Sequence, residues 1–466
     1  MSIGRGVDLT VLRRALSGSV VRLVGLPIVV GAGIVNTSLV IGGTGVAAYG
    51  IVSTVAMLGA LLPFSDLGVG GSVTTAVALA SNSPIAALKQ KLLAANALLM
   101  SVAVIIVSAA SLFGILSVWS SLLGQTFLAQ DDAIISFGLA MFGLTVPLGL
   151  GTRVLIGLGR NDLAVAISMT SSLFVLGSTA LMTMAGTQGI AFALPSFLGP
   201  FAAGGLSTII AYRLLNKMNT LRLQTDPEPD ARGPRPERRY DFRFLAGSGA
   251  LVVVTIGLPL GLETGRVMLS HVGTPIMLSQ YALMAQLYAI AWSVISTSSG
   301  ALWTIFAQRR GDPKESFTIW RSMVALFGLL GAAGAVFLWA LGPWAGSVIS
   351  QGEISIPPAV AAAFGALLIA QSLHLPAGSL LTTPRQLRMQ AFCVVAMAAI
   401  SLSSGLFMAR SIGGAGIALG AAIGVFLGQL VPDLLLVPRV LLKGAPTRRF
   451  GRKMTQRQDV QRIQID

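Results

Sequence analysis

Glu263 and Arg266 stand three residues apart in a stretch, Gly257 to Asp312, that is otherwise mostly apolar. Charges at that spacing share one face of a helix. Inside lipid a lone charge costs roughly 2.5–3.5 kcal/mol on insertion scales, so such a face should look at protein or a wet cavity. Arg22, Asn36, Asp66 and Gln286 recur at comparable depth in other apolar runs, and Arg153 lies near a run's end. The arginines suit an anionic ligand, because the guanidinium fork pairs bidentately with phosphate oxygens. Structural roles compete with that chemistry. Arg22 and Arg153 could snorkel to an interface, Glu263 and Arg266 could pair with each other, and Asp66 could cap the Gly-rich run after it. Gln371 and His374 could contact a ligand, or could bridge helices.

Other chemistries are excluded. The sequence holds no phosphate-binding Walker loop, no Cys/His set at metal-ligand spacing and no acid or His with an evident catalytic partner. His271 and His374 are far apart, and the single cysteine, Cys393, permits no intrachain disulfide. No enzyme activity, metal or cofactor is expected.

The elements that position these residues are membrane spans. The chain has 466 residues, 54% of them hydrophobic and 11% charged, against about 25% charged in soluble domains. Mean hydropathy is +0.80. Apolar runs near the 20 residues needed to cross a bilayer recur from end to end, giving about twelve helices. They fall near 19–41, 46–64, 92–116, 133–156, 164–185, 189–213, 245–270, 278–305, 322–345, 358–381, 388–409 and 415–440. The segment 66–80 reads as a helical extension of the second. Pro27 and Pro259 sit inside the first and seventh spans, where each removes a backbone hydrogen bond and favours a bend.

Net charge is +15, but the bases gather in alternate loops and the tail rather than on a nucleic-acid-binding face. That bias places both termini in the cytoplasm. Residues 216–243 form the one long polar interruption, rich in Pro and mixed charge, and read as a cytoplasmic linker. It separates an N-terminal six-helix lobe (1–215) from a C-terminal one (244–442). A basic tail, 443–466, suits anionic lipid.

The halves repeat. Gly25-Leu26-Pro27 matches Gly257-Leu258-Pro259, Gly43-Thr44 with Tyr49 matches Gly273-Thr274 with Tyr281, and Gly186 to Ala191 matches Gly413 to Ala418. The offsets are all about 230 residues, and an even span number per half makes the repeats parallel. The expected fold is an all-α polytopic membrane protein with two parallel six-helix lobes around a central cavity.

Two stretches carry a family resemblance. LETGRVMLSHVGTPIMLSQYALMAQLYAIAWSVISTSSGALWTIFAQRRGD and TGVAAYGIVSTVAMLGALLPFSDLGVGG resemble bacterial polysaccharide (O-antigen type) repeat-unit flippases. These belong to the multidrug/oligosaccharidyl-lipid/polysaccharide (MOP) exporter superfamily. The resemblance implies transport of an undecaprenyl-diphosphate-linked oligosaccharide from inner to outer leaflet of the bacterial cytoplasmic (inner) membrane. It implies that cavity cations hold the diphosphate, with Arg266 and Arg22 as matching positions, and it suggests polysaccharide-synthesis proteins as partners. Few cavity bases can be placed here, which departs from the family's pattern. Two other functions remain open: a cation-coupled multidrug antiporter relying on Asp66 and Glu263, and a non-transporting scaffold.

Overall fold

The computed structural model describes residues 9–61, 69–78, 85–124, 127–225, 243–299, 302, 305–306, 309 and 312–442. Among the described residues the first half holds α1 (Leu9–Thr44), α2 (Val46–Ala56), α3 (Val69–Ala78), α4 (Ile85–Ile115), α5 (Val118–Leu123), α6 (Asp132–Gly157), α7 (Asn161–Met184) and α8 (Pro195–Thr225). The second half holds α9 (Arg243–Leu262), α10 (Gly265–Val272), α11 (Pro275–Ser298), α12 (Pro313–Ile349), α13 (Pro358–Leu380) and α14 (Pro384–Ile412). It ends with α15 (Gly414–Val425), a π-helical turn (Phe426–Leu430) and α16 (Val431–Leu442). Among the described residues, 11 helices are long and apolar enough to cross a membrane.

Helix starts follow local chemistry. Asp312 accepts the Lys314 and Glu315 amides at 3.1 and 3.0 Å ahead of Pro313, capping α12. Thr383 and Gln386 form a capping box around Pro384 on α14. Between α1 and α2 the chain turns on Gly45, whose φ of +77° is open to glycine at little cost.

The two halves pack alike. In the first, α1 lies on α7, α4 on α6, and α8 on both α6 and α7. In the second, α9 lies on α14, α12 on α13, and α15 on both α13 and α14. The repeated glycines sit where the first helix of each lobe meets its fifth. A Cβ on Gly25 would fall 2.4 Å from the Met169 sulfur, and one on Gly257 would fall 2.5 Å from Val394 Cγ1. At both positions the close neighbour is a side chain of that fifth span.

Three expectations need correction. The second span is not one long helix: α2 stops at Ala56 and passes into a 3-10 turn, Leu58–Leu61, two residues short of Pro63, which disfavours helix before it. The linker begins later than residue 216, because α8 continues to Thr225; the stretch from 226 to 242 lies outside the described residues. The seventh span breaks at Glu263-Thr264, just beyond Pro259, into α9 and α10, whereas α1 runs as helix straight through Pro27. The matched prolines therefore sit in unlike surroundings.

Chain ends at residues 9 and 442 share one face, here called proximal. The tips around 44–46, 123, 272–275, 349–358 and 412–414 form the distal face.

Candidate functional site

The lobes meet where α2 of one packs on α11 of the other, equivalent helices of the two repeats. Gln286, about 17 Å along α11 from Pro275 by helical rise, is the centre of the contact. Its Oε1 accepts from the Thr37 hydroxyl at 2.7 Å and the Tyr49 hydroxyl at 3.2 Å. Its Nε2 donates to the Gly33 carbonyl at 3.3 Å. Every hydrogen-bonding atom of that amide except one N–H thus spans the two lobes.

Nearer the distal face, Ser279 continues the seam. Its hydroxyl accepts from the Gly50 amide at 2.9 Å and donates to the Val46 carbonyl. Ser270 of α10 donates to the Leu123 carbonyl, and Gln351 Nε2 donates to the Ser38 hydroxyl at 3.1 Å. All these lobe-to-lobe bonds lie in the distal half or at mid-depth.

Arg266 stands in the first turn of α10 beside this seam. Its charge acts on the hydroxyls of both Tyr49 and Tyr281, the matched tyrosines of the repeats. Its Nε is buried with no hydrogen-bond partner, and Asn36 Oδ1 is buried and unpartnered as well. No ion pair joins Glu263 to Arg266; Glu263 is exposed, and its charge acts on Tyr281 and Tyr288. Arg266, Gln286 and the α1 turn carrying Asn36 are therefore gathered at the seam, with Glu263 at its edge.

Arg153 is elsewhere. It is exposed at the proximal end of α6 and lines a pocket of 460 Å³ inside the first lobe, with Thr145, Thr152, Asn161 and Ser168. The Arg22 side chain and all of Asp66 lie outside the described residues.

Comparison with solved structures follows this geometry over nearly the full length. The chain resembles a MATE crystal structure in the bent conformation (TM-score 0.58, 11% identity, covering 95% of this chain and 100% of that one). It resembles the lipid II flippase MurJ in an inward closed conformation (TM-score 0.58, 13% identity, 94% of each chain). A third match is an inward-facing multidrug resistance MATE family transporter of the MOP superfamily (TM-score 0.58, 14% identity, 92% of this chain and 99% of that one). No family model and no curated protein matches the sequence. The chain has the two-lobed helical fold of these structures.

Within that fold, the second lobe carries polar residues that sequence reasoning undervalues. Tyr288 hydrogen-bonds Gln371, and both Tyr281 and Tyr288 tilt against Phe364 with centroids 5.0 and 5.4 Å away. One turn on from Gln371, His374 Nδ1 meets Asp433 Oδ2 at 2.6 Å, joining α13 to α16. Gln371 and His374 thus bridge helices. Asp433 is missed altogether, although it lies inside the span near 415–440; an acid in an apolar run is the signal that marks it.

Proposed function

We propose that the chain is a transporter that moves a polyprenyl-diphosphate-linked oligosaccharide from the inner to the outer leaflet of a bacterial cytoplasmic membrane. One observation carries the reading: a buried guanidinium nitrogen of Arg266 without a partner, at the seam between two lobes. A cation so placed in a membrane protein favours an anionic ligand, and a diphosphate offers oxygens spaced for the guanidinium fork. Asn36 and Gln286 supply neutral polar groups beside it for phosphate or sugar, and Glu263 is positioned at the rim. Arg22, Asp66 and Arg153 are kept as further contacts along the route. No enzymatic step, metal or cofactor is required.

With both termini in the cytoplasm, the distal seam faces outward. The hydrogen-bonded seam then closes the outer side, and substrate enters from the inner leaflet with its lipid tail left in the bilayer. Pro27 and Pro259 would let α1 and α9 bend as the opening switches. The likeness to a lipid II flippase agrees with a lipid-linked cargo.

A cation-coupled multidrug antiporter is the second reading. It is favoured by the likeness to multidrug transporters and by the buried Asp433. Depleting the protein in its own cells and quantifying polyprenyl-diphosphate-linked oligosaccharides separates the two. Accumulation with loss of a surface polysaccharide is expected. An unchanged lipid pool with raised sensitivity to cationic drugs would move the assignment to the antiporter.

A further inference from the structure

The strongest feature left unused is the His374–Asp433 pair. Its side chains are 20% and 8% exposed, unlike the Arg160–Asp162 and Arg309–Glu315 pairs at the surface. The two residues come from different helices, and the backbone is shaped to bring them together. Pro432 has no N–H to give the Gly428 carbonyl, so the regular ladder of the last span cannot continue through it. The chain answers with the π-helical turn at Phe426–Leu430. One extra residue in a turn rotates everything after it by about 100°, and the rotated residue is Asp433, now facing α13.

A carboxylate only accepts, so the imidazole Nδ1 carries the proton of that bond. Among the described residues Nε2 has no hydrogen-bond partner, and a Cβ added at Gly378 would stay 3.9 Å from it. With His374 neutral, the pair holds a net negative charge at membrane depth. Uptake of one proton on Nε2 makes it an imidazolium–carboxylate pair with no net charge, which removes much of the cost of keeping it dry. An imidazole nitrogen and one carboxylate suit a proton better than a hard alkali or alkaline-earth cation, which takes several oxygens. Among the described residues, Asp433 has no ion-pair partner besides His374. Cys393 of α14 stands in the field of Asp433, Tyr288 of α11 is tied to Gln371, and Arg321, Arg388 and Arg439 are exposed on α12, α14 and α16.

We propose that His374 and Asp433 form a proton-binding site that couples proton uptake to the switch between open and closed lobes. The pair lies in the proximal half of the second lobe, and Gln371, three residues before His374 on the same helix face, links it through Tyr288 to α11, the helix that bears Gln286. The deprotonated pair favours water access from the proximal side, hence the arrangement with the distal seam shut. The protonated pair tolerates burial and lets the proximal side close while the seam parts. The coupling rests on the transport reading above, but the site can be tested without cargo.

The experiment places spin labels at Ser38→Cys and Gln351→Cys, which face each other across the distal seam, in a Cys393→Ala background. Full-length protein in nanodiscs containing anionic lipid is frozen at about pH 5 and about pH 8, either side of the ordinary histidine range. A longer inter-label distance should gain at least about threefold in population at the acid pH, in sodium-free buffer. Asp433→Asn and, independently, His374→Gln should abolish that pH response. Identical distance distributions at both pH values, or an unchanged response in the folded Asp433→Asn protein, would overturn the proposal. A sodium dependence replacing the pH dependence would overturn it too. If Arg266→Ala supports normal polysaccharide export while the pH response persists, the cargo reading fails and the proton site stands.

Discussion

Gln286 and Thr37 hydrogen-bond at 2.7 Å across the two lobes, from positions 249 residues apart in the chain. Five residues before Gln286 stands Tyr281; five residues after the matching Tyr49 stands Thr54, whose hydroxyl donates to the Gly50 carbonyl of its own helix. The repeat is thus symmetric in packing and asymmetric in the bonds that close it.

Replacing Gln286 with Leu removes all three of its bonds to the other lobe. Hydrogen bonds between membrane helices contribute about 0.6 kcal/mol each on average, so the closed seam should lose about 2 kcal/mol. That is a shift of more than about tenfold toward the open seam, read as a longer distance between labels at residues 38 and 351. An unaltered distance distribution would count against the seam as a latch.

Arg266→Ala should abolish export in a complementation assay while expression and folding stay normal. Arg266→Lys keeps the charge but loses the planar fork, and should retain only a fraction of activity. Wild-type complementation by the alanine variant would remove Arg266 from the cargo site.

Gly50 and Gly124 are placed where only hydrogen fits. A Cβ at Gly50 would come within 2.7 Å of the Ser279 amide nitrogen, and one at Gly124, where φ is +103°, within 2.8 Å of the Ser270 carbonyl. Both neighbours are backbone of the opposite lobe. Gly50→Ala should wedge the seam open and cut transport severalfold, by an overpacking cost of about 1–3 kcal/mol. Gly42→Ala, with nothing within 4 Å, serves as the neutral comparison.

Asp132 is buried, and its carboxylate accepts the Trp119 and Ser120 amides at 3.2 and 3.0 Å. Asp132→Ala strips the first turn of α5 of that cap. The expected cost is about 1.5–3 kcal/mol, since a bond to a charged group is lost and the amides stay buried. A thermal-unfolding scan in detergent should register it as a lowered midpoint.

Span number and the twofold repeat were legible because each rests on long averages: apolar length and an offset held over three matches. Arg266 and Gln286 were legible as polar residues in lipid. Their neighbours were not, since Thr37 and Tyr49 are ordinary span residues until α2 is laid on α11. Asp433 needed the π-helical turn, a backbone irregularity that no periodicity announces, and its partner His374 lies 59 residues away. Glu263 and Arg266 share a helical spacing on paper, yet the helix breaks between them at Thr264, so the spacing argument for a pair does not survive.

The placement of Thr225 and Arg243 has a consequence for how the molecule is built. Both helix ends, like residues 9 and 442, open on the same face. Each half thus starts and finishes on one face, and the halves are joined by α1 and α2 on α11, Ser270 on Leu123 and Gln351 on Ser38. The protein is in effect a heterodimer written on one polypeptide.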